Sequence, residues 1–397
     1  MSINVLVVGT GLIGTSIGLA LSGRGLDVRL HDRHATRLAT AVRHGAGRPW
    51  RPGPAPGAAG PAGVADAAGA ERRVRPDHDW VDHHDWVDHV VLATPPSEVG
   101  AALRAWQRLL PRATFSDTAS VKVAPLEDGE RAGADMSAVC GAHPVAGREC
   151  SGPEWASADL FAGRSWVLTP SAVTSSAALA NARAVALACG ARVTEMPARA
   201  HDLALGLLSH VPHLVASAMA ARLVAVSDDV VSLAGPGLWD FTRIAGANAE
   251  LWSDIVAANA SPIAALLADV VADLDRVRGA LDAAGGDPAP VLPEVDQLFR
   301  LGNAGRFRLE AARSRQADVG RLVPLQDDPR LETVAPDGPG GDTRREREGR
   351  RDYESRRDYE SRLERESRRE PLPAAPVPAG PSPAAMKLPA ARQAGLP

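Results

Sequence analysis

The sequence predicts an α/β protein: an N-terminal Rossmann-type doubly wound sheet followed by an all-helical domain. Three observations carry this. Short apolar runs of strand length, rich in β-branched residues, recur through the first half, as buried parallel strands require. The first, residues 3–8, runs straight into Gly9-Thr10-Gly11-Leu12-Ile13-Gly14 and then an apolar stretch at helical spacing. From about residue 197 the apolar pattern turns helical and stays so.

The bulk numbers fit this plan. The chain has 397 residues, 45% hydrophobic and 23% charged, enough for two domains with cores. A formal net charge of -4 gives no reason to expect a nucleic-acid partner or a membrane surface. Three cysteines, Cys140, Cys150 and Cys189, form no CxxC pair and suit a reducing, cytoplasmic compartment. No uninterrupted apolar run of spanning length and no signal peptide are read from the sequence.

In the glycine-rich turn, Gly9 permits the tight bend, Gly11 lets the backbone approach a pyrophosphate, and Gly14 lets helix and strand pack closely. The helix start, with Leu12 and Ile13, offers free N–H groups to an anion. A second strand over residues 27–31 ends at Asp32, placed to accept a ribose 2′-hydroxyl and repel a 2′-phosphate. The cofactor expected is therefore NAD, with Arg33 as the neighbour able to tolerate a phosphate.

Residues 45–76 are rich in Gly, Pro and Ala and are read as an inserted or disordered loop. Residues 78–83 repeat directly as 84–89 (HDWVDH), read as a local duplication rather than a metal site. A buried strand over 90–93 ends at Thr94 and Pro95, a position where open α/β sheets bind ligands. Ser97 is expected to cap the next helix. A strand over 113–116 leads to Ser120, which either meets a substrate hydroxyl and the nearby histidine or caps a helix. Lys122 is read as a structural or solvated charge.

His143 is the centre of this reading. It is expected just past a short strand at 138–140, between glycines and a proline, where a base could meet cofactor and substrate together. A polar loop at 148–153 follows, then a strand at 166–168, a helix at 175–189 and a strand at 191–196. Cys140 and Cys189 are read as core residues. In the helical part an amphipathic run begins at His201, and His210 and His213 stand one turn apart. With no HExxH and no third ligand no metal is expected, and one of this pair is read as a substrate or cofactor contact. Arg243, in the interruption at 235–245, is the candidate for bidentate carboxylate binding. Trp252 and Asn259 follow, and residues 261–281 form a long helix suited to packing or dimerisation. The domains are read as 1–196 with 45–89 inserted, 197–303 helical, and a disordered tail over 324–397 containing the repeat at 350–361.

Together these stretches resemble the prephenate/arogenate dehydrogenase family of tyrosine biosynthesis. The segments are GTGLIGTSIGLAL (9–21), DTASVK (117–122), GAHPVAGRECSG (141–152), LSHVPH (208–213) and GLWDFTRIAGANAELWSDI (237–255). The resemblance implies that His143 draws the proton from a ring 4-hydroxyl, that Ser120 hydrogen-bonds that hydroxyl, and that Arg243 holds a substrate carboxylate. It further implies that His210 is a second active-site histidine, that Trp252 lies near the substrate, and that the helical domain is a dimerisation domain building a homodimer. The implied reaction is NAD-dependent oxidative decarboxylation of prephenate, a small molecule, to 4-hydroxyphenylpyruvate. Arogenate and 4-amino-4-deoxyprephenate are the alternative substrates, and an inactive NAD-binding sensor the alternative of another class. No βαββαβ pattern follows 302–306, so a regulatory ACT domain is not expected.

Overall fold

The structure of the protein, a computed structural model, describes residues 3–50, 86–147, 151–285 and 291–321. The greater part of the inserted stretch and the first copy of the HDWVDH repeat lie outside the described residues, as do Cys150 and the tail with its repeat.

The first part is an eight-stranded sheet of order β3-β2-β1-β4-β5-β6-β7-β8. Its strands are β1 (Val5–Val8), β2 (Val28–His31), β3 (Arg48–Pro49), β4 (His89–Leu92), β5 (Thr114–Asp117), β6 (Val139–Pro144), β7 (Ser165–Thr169) and β8 (Arg192–Glu195). All neighbours pair in parallel except β6 and β7. Helices α1 (Leu12–Ser22), α2 (Ala35–Arg43), α3 (Pro96–Leu109), α4 (Val123–Arg131) and α5 (Ser176–Ala188) cover the sheet. Strand alternation sends Val5 and Val7 into a core with Ile17, Leu21 and Trp166, and Leu6 and Val8 into one with Leu103, Trp106 and Phe115. Two buried faces explain why the strands read as unbroken apolar runs, each wholly buried Leu or Val contributing about 1.5–3 kcal/mol.

The helical part follows with α6 (Ala198–Leu205), a π-turn (Gly206–His210), α7 (Val211–Ala220), α8 (Asp228–Val231) and α9 (Pro236–Thr242). A 3-10 turn (Arg243–Gly246), α10 (Ala249–Ala258), α11 (Ala260–Ala283) and α12 (Leu292–Arg321) complete it. α10 and α11 meet at 95°, with Asn259 at the break. This part leaves large apolar side chains exposed, among them Leu208, Leu233, Trp239 and Phe299.

Four details differ from the sequence reading. Residues 45–50 do not belong to a structureless loop: Ala46 and Trp50 are buried, β3 pairs with β2, and the Trp50 ring packs edge-on against His31 and Trp106. His143 lies inside β6 rather than past it, because pairing with Val167 of β7 carries the ladder to Pro144. Ser97 is not the cap of α3. The helix starts one residue earlier at Pro96, whose missing N–H costs nothing at a first position. Finally, Ala198–Ala225 is a continuous helical stretch of 28 residues with mean hydropathy 1.5, long and apolar enough to cross a membrane by those measures. Here it carries the buried polar residues His201, Asp202 and His210 into the domain interior.

At the end of β5 an ion pair is buried. Lys122, fully enclosed, pairs with Asp117 and donates to the Ala142 carbonyl at 2.6 Å. Asp117 also accepts from Ala119 N at 2.9 Å, so the pair fixes the β5–α4 turn against β6 next to His143. Removing one partner of such a pair strands a charge in the interior, which costs more than the pair itself contributes. Lys122→Ala is expected to lower unfolding free energy by about 3–5 kcal/mol in a denaturant titration, with Asp117→Asn in the same chain restoring part of the loss.

Candidate active site

The C-terminal ends of the strands open into a cavity of about 1650 Å³. Of the residues singled out from the sequence, Gly9, Gly11, Leu12, Ile13, Gly14, Asp32, Thr94, Pro95, Ser120, His143 and Trp252 line it. His210 and Arg243 do not.

One end has the form of a dinucleotide cradle. Gly9 has φ +96°, and a Cβ there would collide with the Ala93 carbonyl. A Cβ on Gly14 would strike the Gly9 carbonyl, whereas one on Gly11 would meet nothing and would take up space in the cavity. α1 begins without a side-chain cap or an acidic residue in its first turn, leaving its leading N–H groups to an anion. Asp32 is held in place by three donors: Thr10 N and Oγ1 donate to Oδ2 at 2.7 and 2.9 Å, and His34 N donates to Oδ1 at 2.7 Å. Burial would push its carboxyl up, but these donors, with the nearby Arg37 charge, outweigh it and hold the carboxyl below its ordinary range.

The other end is built on a chain of buried side chains that join the two parts of the protein. His143 Nδ1 lies 2.9 Å from His201 Nε2, and His201 Nδ1 lies 2.8 Å from Asp202 Oδ1. His143, His201 and Asp202 are 6%, 0% and 2% exposed. Asp202 in turn accepts from Lys122 N and Val123 N, both at 2.8 Å. With one proton per ring, the carboxylate dictates the order: His201 carries its proton on Nδ1 and accepts on Nε2, and His143 carries its proton on Nδ1. The lone pair of His143 Nε2 is left for a reaction partner. Burial, reinforced by the nearby Lys122 charge and by the repulsion a second imidazolium in the His201–His210 cluster would meet, holds His143 well below the usual histidine range. It is a neutral base at neutral pH.

This chain also bears on Ser120. The leading N–H groups of α4 are capped by Asp202 from α6, so the Ser120 hydroxyl is not the cap and instead borders the cavity. Asn259 donates to the Asp202 carbonyl at 2.8 Å and to His210 Nδ1 at 3.0 Å. His210 therefore carries its proton on Nε2, an atom that is buried and unpaired among the described residues. Burial pushes His210 down to about 4, against the opposing charge of Asp202. Its ring stands edge-on to Trp252 at 6.1 Å, and His213 stacks on that indole at 3.3 Å. Arg243 is exposed on its 3-10 turn, close enough for its charge to lower the His213 pKa. A second link between the two parts joins α3 to α10, where Ser97 N and Oγ donate to Asp254 Oδ2 at 3.1 and 2.9 Å. Among the described residues no group of three His, Cys, Asp or Glu side chains could hold a metal ion.

Sequence reasoning missed His201 and Asp202 as site residues. Their signal was two polar residues side by side on the inward face of an apolar helix, where burial demands partners.

Comparison with known proteins gives a consistent result. The family model for the prephenate dehydrogenase nucleotide-binding domain matches residues 62–195, and the one for the prephenate dehydrogenase dimerization domain matches 197–288. The chain is 32% identical over 289 residues to the probable prephenate dehydrogenase NovF of Streptomyces niveus, covering 72% of this chain and 71% of that one. It is 30% identical over 203 residues to the cyclohexadienyl dehydrogenase of Zymomonas mobilis, covering 50% and 69%. Among solved structures, prephenate dehydrogenase from Aquifex aeolicus in complex with hydroxyphenyl propionate and NAD+ superposes with TM-score 0.62 at 25% identity, covering 78% of this chain and 99% of that one. A glycine turn and an anchored aspartate at one end of the cavity, a carboxylate-backed histidine at the other, and these matches lead to one conclusion: the chain belongs to the prephenate dehydrogenase family of oxidoreductases.

Proposed function

We propose that the protein oxidatively decarboxylates prephenate to 4-hydroxyphenylpyruvate with NAD, as a cytoplasmic homodimer. The observation that carries this reading is His143. It is a neutral, carboxylate-backed imidazole that borders the same cavity as the Gly9–Gly14 turn. The exposed apolar side chains of the helical part support pairing with a second copy.

NAD held at the Gly9–Gly14 turn would supply the hydride acceptor for C4 of the ring. The protein's own groups do the rest. His143 Nε2 takes the proton of the 4-hydroxyl, Ser120 hydrogen-bonds that oxygen, and Asp202 acts through His201 to hold the imidazole in its accepting tautomer. As the hydride leaves C4, the C1–carboxylate bond breaks, CO₂ departs, and its electron pair completes the aromatic ring. The proton held on His143 returns to the oxygen, giving a phenol, so no net proton is taken up or released. Aromatisation supplies the driving force, and the general base contributes about 10²–10⁴-fold. Arg243, near His213, and His210, edge-on to Trp252, stand just outside the cavity lining, and the family resemblance alone assigns them the substrate carboxylate and a second histidine contact.

The direct test is NADH formation by the full chain, offered prephenate, arogenate or 4-amino-4-deoxyprephenate, each with NAD or NADP. Prephenate with NAD is expected to give the highest kcat/KM. Turnover confined to either amino compound would move the enzyme to that substrate, and silence in every pair would remove the reading.

Two kinetic consequences follow from the buried chain. Asp202→Asn replaces the acceptor that fixes His201 and is expected to lower kcat about 10²–10³-fold with a much smaller change in KM. Protonated His143 cannot accept a proton, and its pKa lies below the usual range, so wild-type kcat/KM is expected to hold its plateau as pH falls through the normal histidine pKa of ~6.5. His201→Gln removes the neighbouring imidazole that disfavours a proton on His143. Its acid limb should move to higher pH, whereas a merely structural role for His201 would leave the limb in place.

A further inference from the structure

Asp32 is not the sole charge at the ribose end of the cavity. Arg33 follows it directly and also borders the cavity, as do Arg37 and Glu98. Glu98 stands in the first turn of α3, on the opposite wall, and its Oε1 accepts from Arg33 Nη2 at 2.9 Å. The pair is 67% and 37% exposed, so it adds little to folding stability. Its position matters more than its strength.

A 2′-phosphate needs a guanidinium free to turn towards it. Arg33 is adjacent in sequence to the carboxylate that binds the 2′-hydroxyl, which makes it the natural cation for that phosphate. In this structure its guanidinium is drawn across the groove to a carboxylate on another helix. Two carboxylates, Asp32 and Glu98, offset two guanidiniums, Arg33 and Arg37, and the adenosine end holds no excess positive charge for a phosphate dianion.

We propose that Glu98 is a cofactor-specificity residue of this protein: by holding Arg33 away from the ribose and balancing its charge, it excludes NADP together with Asp32. This rests on the reading of the glycine turn as a dinucleotide site. Without Glu98 the guanidinium of Arg33 keeps only its Nε contact to His34 Nε2 at 3.3 Å, its Nη2 is free to turn, and the local charge rises by one unit. Both changes favour a 2′-phosphate, and neither touches the Asp32 contacts to Thr10 and His34.

The test is equilibrium binding, with no turnover required. Titration calorimetry on the full chain at low ionic strength gives the dissociation constants of NAD and NADP for wild type, Glu98→Gln and Arg33→Ala/Glu98→Gln. In Glu98→Gln the ratio of the NADP to the NAD constant is expected to fall about tenfold, the equivalent of ~1.4 kcal/mol. The double variant should return it towards the wild-type ratio, and added salt should shrink the gain. An unchanged ratio in Glu98→Gln, or a gain that survives loss of Arg33, overturns the proposal. Wild-type protein that binds neither dinucleotide overturns the reading of the glycine turn itself, and the proposal with it.

Discussion

The carboxylate of Asp202 is the constraint on which the rest of the site depends. It belongs to the helical part, yet it caps the first turn of α4 in the sheet part, and it orients His201 against His143. Its backbone carbonyl receives Asn259, which in turn sets the tautomer of His210. One buried acid thus joins the two parts of the chain and dictates where His201 and His143 keep their protons. A buried carboxylate with fewer partners would be costly, and the donors arranged around this one offset its desolvation.

The contact between the parts follows one physical theme. Helices that start at the C-terminal edge of a parallel sheet present unmet N–H groups towards that edge. α1 keeps its N–H groups for an anion. α3 and α4 have theirs met by Asp254 and Asp202, carboxylates carried by the helical part. The same edge therefore supplies both a place for a dinucleotide and the anchor points that hold the helices over it. Burial beneath those helices is the main cause of the depressed His143 pKa and keeps its imidazole neutral at neutral pH.

Much of this was legible in the chain. Strand runs and the glycine turn have local causes: the strand read at 90–93 falls at 89–92, and a helix opens directly after the glycine turn as the pattern required. Residues chosen for chemistry at strand ends, from Gly9 to His143, share one cavity. The misses are non-local. Trp50 sits in a Gly- and Pro-rich stretch, and only its contact with His31 and Trp106 makes it a core residue. His143 was expected beyond its strand because antiparallel pairing with β7 leaves no local mark. His201 and Asp202 look like ordinary polar positions of an amphipathic helix. Their partners, His143 and Lys122, lie 58 and 80 positions away, beyond the reach of any periodicity.

The central claim, that Asp202 acting through His201 keeps the Nε2 lone pair of His143 available, is tested most directly by nitrogen NMR of the full chain with ¹⁵N-labelled histidine. The account predicts that at neutral pH His143 is protonated at Nδ1 and bare at Nε2, and that Asp202→Asn disturbs this state. A His143 ring protonated at Nε2, or at both nitrogens, in the wild-type protein at neutral pH would contradict it.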